Sequence, residues 1–299
     1  MNAESQERDL VVVGADGSPA NKGALRWAAA EAAGTGADLL MVCALNTSAS
    51  IVRVPDALHQ FEAAARKSLT ADKKSVTLLH PGLTTDSLIV AGKAHPELVE
   101  QSKQAAMVVV GRRGHGRFAG LLLGSTSLAT AGHAHGPVVV VPKDWDESAH
   151  GKAPVAVALD VDHPDEAALQ FAFQRALRHR QPLRVITVYT PPDPLWSGGD
   201  IVIMRELERE SSELLEKALA AYRAHFAEVE VDTVVAQGHP TQTLLDAAKG
   251  AELLVLAPRG RGTLGGFRVG STTRTVLLHA TLPVAVVHPS STPPESEES

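Results

Sequence analysis

Short unbroken apolar runs alternate along the chain with longer stretches whose apolar positions recur every three or four residues. Leu10–Val13, Asp38–Leu45, Asp86–Ala91, Met107–Val110 and Pro137–Val141 are runs of the first kind and predict buried strands. Between them, Asn21–Ala33 carries Ala24, Leu25, Trp27, Ala28 and Ala32 on one face, which predicts an amphipathic helix ended by Gly34. Pro55–Leu79 places Leu58, Phe61, Ala65, Leu69, Val76 and Leu79 at helical spacing, and His80-Pro81-Gly82 stops it. Glu97–Lys103 and Thr126–Ala134 are two further predicted helices, and Pro142–Lys152 reads as a linker.

The same order then starts again. Val155–Asp160 matches Val11–Asp16, Leu183–Tyr189 matches the second strand, Asp200–Phe226 the long helix and Val229–Gln237 the third strand. Leu253–Leu256 and Pro283–Val287 repeat the fourth and fifth strands. One offset of 146 residues relates Gly92 to Gly238, Gly114 to Gly260 and Gly124 to Gly270. A duplicated strand–helix alternation predicts an α/β fold of two repeated doubly wound domains, each a five-stranded parallel sheet with helices on both faces. Their expected bounds are residues 1–146 and 153–289, followed by an acidic Pro/Ser tail, 290–299, expected to be disordered.

The stretch with the most chemistry is Gly111–Ser125, G-R-R-G-H-G-R-F-A-G-L-L-L-G-S, between a strand and a helix start. Glycines let backbone N–H groups approach an anion with no Cβ in the way. A helix N-terminus adds unpaired donors and partial positive charge, and Ser125 and Thr126 add hydroxyls. Two readings fit these residues: a phosphate cradle, or a tight turn whose glycines serve chain reversal. In a doubly wound sheet, ligands sit beyond the carboxyl ends of the strands where the winding reverses. That rule brings Gly14–Ser18, Cys43–Leu45 and the glycine loop to one crevice, which favours a nucleotide pocket over a plain turn.

Composition narrows the classes. A net charge of −6 argues against a nucleic-acid binder that works by phosphate neutralisation. Cys43 is the only cysteine, so no intramolecular disulfide exists, and its strand position predicts a core residue rather than a nucleophile. The start, M-N-A-E-S-Q-E-R-D-L, is polar and unlike a signal peptide. Phe118–Pro142 lacks charged residues, yet its Gly, Ser, Thr and His content argues against a membrane span. A soluble cytoplasmic protein is the expectation. Gly260–Gly265 spells G-x-G-x-x-G but follows a late strand rather than opening the first βαβ unit, so it is no dinucleotide fingerprint. No P-loop is present, and no catalytic frame is recognisable. His133 and His135 form H-x-H without further ligands placed by sequence.

These residues resemble the universal stress protein family, whose ATP-binding members carry G-x2-G-x9-G-[S/T]. Gly111, Gly114, Gly124 and Ser125 satisfy that spacing without a gap, and the opening V-V-V-G-A-D-G-S is similar to the family's first strand with its acidic residue, here Asp16. The resemblance covers residues 8–143 and 153–289, as a tandem member. It implies that Gly14 and Asp16 border the adenosine and that the backbone at Ala44 reads adenine. Gly111, Gly114 and Gly116 would wrap ribose and phosphates, and Gly124, Ser125 and Thr126 would hold phosphates at the helix start. Arg112, Arg113 and Arg117 would add positive potential. In the second half the implied positions are Asp160, Val188, Arg259, Gly260, Gly262, Gly270, Ser271 and Thr272. There Ala257 replaces the first glycine and Pro258 removes an N–H donor, which weakens the case for binding.

The implied ligand is ATP, with or without Mg2+, and the leading functional reading is occupancy used as a stress-response signal. A slow ATPase and a non-binding dimeric scaffold are the alternatives. The resemblance also implies that strand five of each half pairs at an antiparallel edge, giving a pseudo-dimer within the chain or a homodimer between chains; an apolar edge strand needs such cover.

Overall fold

The computed structural model describes residues 9–45, 55–114, 123–146, 153–190, 201–258 and 269–288. The first half runs β1 (Leu10–Gly14), α1 (Lys22–Thr35), β2 (Asp38–Leu45), α2 (Pro55–Leu79), β3 (Thr85–Ala91), α3 (Ala94–Gln101), β4 (Met107–Gly111), α4 (Ser125–His133) and β5 (Val138–Val141). The second repeats it as β6 (Val155–Ala158), α5 (Glu166–His179), β7 (Leu183–Tyr189), α6 (Ile201–His225), β8 (Val231–Gln237), α7 (Pro240–Ala247), β9 (Leu253–Leu256), α8 (Ser271–His279) and β10 (Val284–Val286).

The two expected sheets are fused into one of ten strands, in the order β3-β2-β1-β4-β5-β10-β9-β6-β7-β8. Every neighbouring pair is parallel except the central one. There β5 and β10 run antiparallel, with Val140 opposite Val284, Val139 opposite Ala285 and Val138 opposite Val286. The expected strand-five pairing is therefore formed within one chain. β5 has β4 on its other side and β10 has β9, so neither keeps an edge to offer a second copy.

The unbroken valine runs fit this position. β4 and β5 are buried at every residue, as strands with helices on both faces must be. One apolar layer packs α1, α2, α5 and α6 on one face through side chains such as Trp27, Leu69, Phe173 and Leu219. The other packs α3, α4, α7 and α8 through Leu98, Ala131, Leu244 and Val276. Both layers continue across the junction between halves.

Most element ends fall within two residues of expectation, and two of the differences have a plain cause. α1 runs through Gly34, and the residue that ends it is Gly36, in the left-handed conformation at φ 73° with its N–H bonded to the Ala32 carbonyl. α3 begins at Ala94, with Pro96 in its first turn where a missing N–H is tolerated. No helix among the described residues is long and apolar enough to cross a membrane.

Candidate functional site

The chain leaves β1, turns back to β2 and β3, and returns on the other side to β4, so the winding reverses between β1 and β4. A cavity of about 290 Å³ opens there, beyond the carboxyl ends of the strands. Gly14, Ala15 and Asp16 reach it from β1, Val42 and Ala44 from β2, and Val110, Gly111, Arg113 and Gly114 from β4 and its turn. Leu123 and Gly124 through Ser127 close it from the start of α4. The three separated sequence pieces expected to meet do meet.

Backbone and side-chain hydrogen bonds hold this shape. The Ala15 N–H donates to the Val42 carbonyl at 2.7 Å, tying the β1 turn to β2. The Arg112 N–H donates to Val141 at 2.8 Å, and the Gly124 N–H donates to the Arg112 carbonyl at 2.8 Å, which folds the turn after β4 onto the tip of α4. Ser127 Oγ donates to the Gly111 carbonyl at 2.6 Å. Asn21 Nδ2 donates to the Gly14 carbonyl. Asp16 Oδ1 accepts the Ser18 N–H at 2.9 Å, which orients its carboxylate on the β1 turn.

The glycines differ in what they do. A Cβ at position 111 would lie 2.7 Å from Asn21 Oδ1, and one at 114 would run into the Asp16 carboxylate. Both positions are empty of side chain because the crevice wall passes there. A Cβ at 124 would meet Ser127 Oγ at 3.4 Å, so a methyl group fits. Gly124 is the N-cap of α4 and has no side-chain cap, leaving the first-turn amides without intrahelical acceptors. The crevice thus has an apolar side, made by Val42, Leu98, Val110 and Leu123, and a donor-rich side at the tip of α4.

Arg113 lines the cavity, whereas the Arg112 side chain turns away and donates through Nη1 to the Ala280 carbonyl of the second half. Gly116 and Arg117 lie outside the described residues, as do Arg259, Gly260 and Gly262. Burial pushes the Cys43 thiol pKa up, reinforced by the Asp16 and Asp72 carboxylates, so the thiol is held protonated in the core as its strand position predicted.

The second half keeps the same frame. Thr273 Oγ1 donates to Ala257 at 3.0 Å, as Ser127 does to Gly111, and the Gly270 N–H donates to Pro258 at 2.7 Å, as Gly124 does to Arg112. Gly270, Ser271 and Thr272 occupy the tip of α8. Asp160 is exposed, its Oδ1 accepting the Asp162 N–H at 3.1 Å, and Val188 is half-buried on β7.

Asn21, Ala94, Leu98 and Ser127 are crevice residues that the motif reading missed. A hydroxyl recurring 146 residues apart at Ser127 and Thr273 was the available signal for one of them. Asn21 gave none, because its counterpart region instead caps α5 with Asp165, whose Oδ1 accepts the Ala168 N–H at 2.9 Å. The His133 ring is engaged on its own helix, Nδ1 lying 2.8 Å from the Ala129 carbonyl, and the backbone N–H of His135 donates to Ser102 Oγ at 2.9 Å.

Comparison with known proteins matches this architecture twice. The model of the universal stress protein family fits residues 7–142 and again 153–288. Universal stress protein Rv2623 of Mycobacterium tuberculosis (strain H37Rv) is 32% identical over 291 residues, spanning 94% of this chain and 97% of its own. A universal stress protein of Mycolicibacterium smegmatis is 33% identical over 297 residues, spanning 93% and 97%. The crystal structure of a universal stress protein from Archaeoglobus fulgidus shares the fold across 95% of this chain and 97% of that one, with a TM-score of 0.71 at 19% identity. A duplicated doubly wound frame, the strand-five junction and two full-length matches together place this chain in the universal stress protein family, as a tandem member.

Proposed function

We propose that the first half binds an adenine nucleotide, ATP foremost, and that the protein acts through occupancy of this site rather than through fast turnover. The observation that carries the reading is the cradle itself. The two glycine positions that a Cβ would fill stand beside a helix tip with unpaired N–H donors, and Val42, Leu98, Val110 and Leu123 line the same crevice with apolar surface. A purine offers a flat apolar body, and a polyphosphate offers the anion that a helix N-terminus favours.

The residues divide accordingly. The main chain at Val42 and Ala44 would face the base, and Asp16, fixed by the Ser18 N–H, would face the ribose hydroxyls. The N–H groups and hydroxyls of Ser125, Thr126 and Ser127, with the Arg113 guanidinium, would hold phosphates. Mg2+, when bound with the nucleotide, would offset part of the phosphate charge. The second half repeats the frame around Ala257, Gly270 and Thr273, with Asp160, Val188, Ser271 and Thr272 at the corresponding positions.

Equilibrium titration of ATP into the full chain and into Gly114→Ala tests the reading. The added Cβ meets the Asp16 carboxylate at the crevice wall, and affinity is expected to fall by about tenfold, roughly 1.4 kcal/mol. Equal affinity of the two proteins, or no binding by either, contradicts it.

A further inference from the structure

Arg112 joins three parts of the molecule. Its N–H and carbonyl hold the turn after β4 between Val141 and Gly124, the N-cap of α4. Its side chain crosses into the other half and donates to the carbonyl of Ala280, the C-cap of α8. Ala280 is 2% exposed, so water is poorly placed to replace that donor. A guanidinium at a helix C-terminus also meets the negative end of the helix dipole. The tip of the same α8 forms the donor-rich end of the second half's frame.

The tie is one-sided. The position 146 residues on from Arg112 is Pro258, which carries no side-chain donor. The crossing in the other direction comes from a different place, His288 Nε2, 2.8 Å from the Ala131 carbonyl near the end of α4.

We propose that Arg112 is a positioning residue through which the second half sets how tightly the first half grips phosphate. This rests on the nucleotide reading above. Arg112 lies outside the cavity lining, so it acts on the ligand through the turn and the α4 tip. Because coupling between two sites is reciprocal, phosphate bound at the first crevice also steadies the end of α8.

The test uses the full chain as wild type, Arg112→Met and Arg112→Lys, each checked by circular dichroism for an unchanged fold. ATP and adenosine are titrated into all three, and amide exchange across residues 276–282 is followed with and without ATP. The expected result is a loss of ATP affinity of about fivefold or more in Arg112→Met. Adenosine affinity is expected to be unchanged, and Arg112→Lys should recover most of the loss. In the wild type ATP should slow exchange around Ala280, and in Arg112→Met it should not. ATP affinity unchanged in Arg112→Met overturns the proposal. Equal losses for ATP and adenosine overturn it as well, as general loosening. Exchange around Ala280 that ignores ATP in the wild type, despite tight binding, also overturns it by pointing to direct contact with the ligand. A wild type that binds no ATP at all removes the nucleotide reading itself, a result distinct from the other three.

Discussion

Arg175 on α5 is buried at the seam between the halves. Its Nη1 pairs with Glu31 on α1, its Nη2 lies 2.7 Å from Glu252 Oε1, and its Cζ sits 5.1 Å from the centre of the Trp27 ring. His179 Nε2 adds a contact to Glu31 Oε2 at 3.3 Å, and Gln181 donates to Glu252. Burial alone would raise the Glu31 pKa, but the Arg175 charge and the His179 contact more than reverse this and hold it at about 2. Removing the cation leaves two buried carboxylates uncompensated, so Arg175→Met is expected to lose about 3–5 kcal/mol in urea unfolding. The pH dependence follows from the depressed Glu31 value. Unfolded, Glu31 takes up its proton near 4.5; folded, only near 2. The contribution is full above about pH 4.5 and is lost as pH falls towards 2, on the order of 3 kcal/mol in all. Urea titrations from pH 6 to 3 should show this acid limb flattened in Glu31→Gln.

Among the elements, the end of α1 separates two glycines that look alike in sequence. Gly34 is helical, and a Cβ there would stand 3.4 Å from His179 Cε1; Gly36 sits at φ 73°. Gly34→Ala should therefore leave stability unchanged or raise it by up to about 1 kcal/mol. Gly36→Ala should lower it by about 1–2 kcal/mol, both read from thermal unfolding. The stretch Gly34-Thr35-Gly36 offers two stop signals two residues apart, and it is Gly36 that takes the left-handed conformation. Strongly periodic elements were easier to read: the long helix over Pro55–Leu79 is found with the bounds its spacing predicts, and of the positions read as core Ala65, Leu69 and Val76 are buried while Phe61 and Leu79 are exposed. The glycine turn was legible in outline, because strand, glycines and helix tip follow one another locally. Its arginines were not. Arg112 and Arg113 are consecutive residues just past the end of β4, in a turn that sends their side chains to different sides. One therefore lines the cavity and the other leaves it, a split that composition does not encode.

At the scale of the whole molecule, the repeat was visible because duplication preserved a constant offset, and the β5–β10 junction was implied by the family resemblance, with an apolar edge in need of cover as its physical reason. The charged seam was invisible: Glu31 and Arg175 stand 144 residues apart, with no local pattern to link them. One sheet, two core layers that cross the junction and the buried seam give the halves a common fate in unfolding. Urea unfolding should be a single transition, coincident by far-UV circular dichroism and by tryptophan fluorescence, to which the buried Trp27 and Trp145 contribute. Two separated transitions would show instead that the seam is too weak to join them.

The central claim is that the crevice between β1 and β4 grips an adenine nucleotide by its phosphates at the tip of α4. Backbone amide NMR of the labelled full chain, titrated with ATP, tests the place as well as the event. The account expects saturable shifts at Ser125, Thr126 and Ser127 together with Val42 and Ala44. Saturating ATP that leaves those five amides unmoved would contradict it.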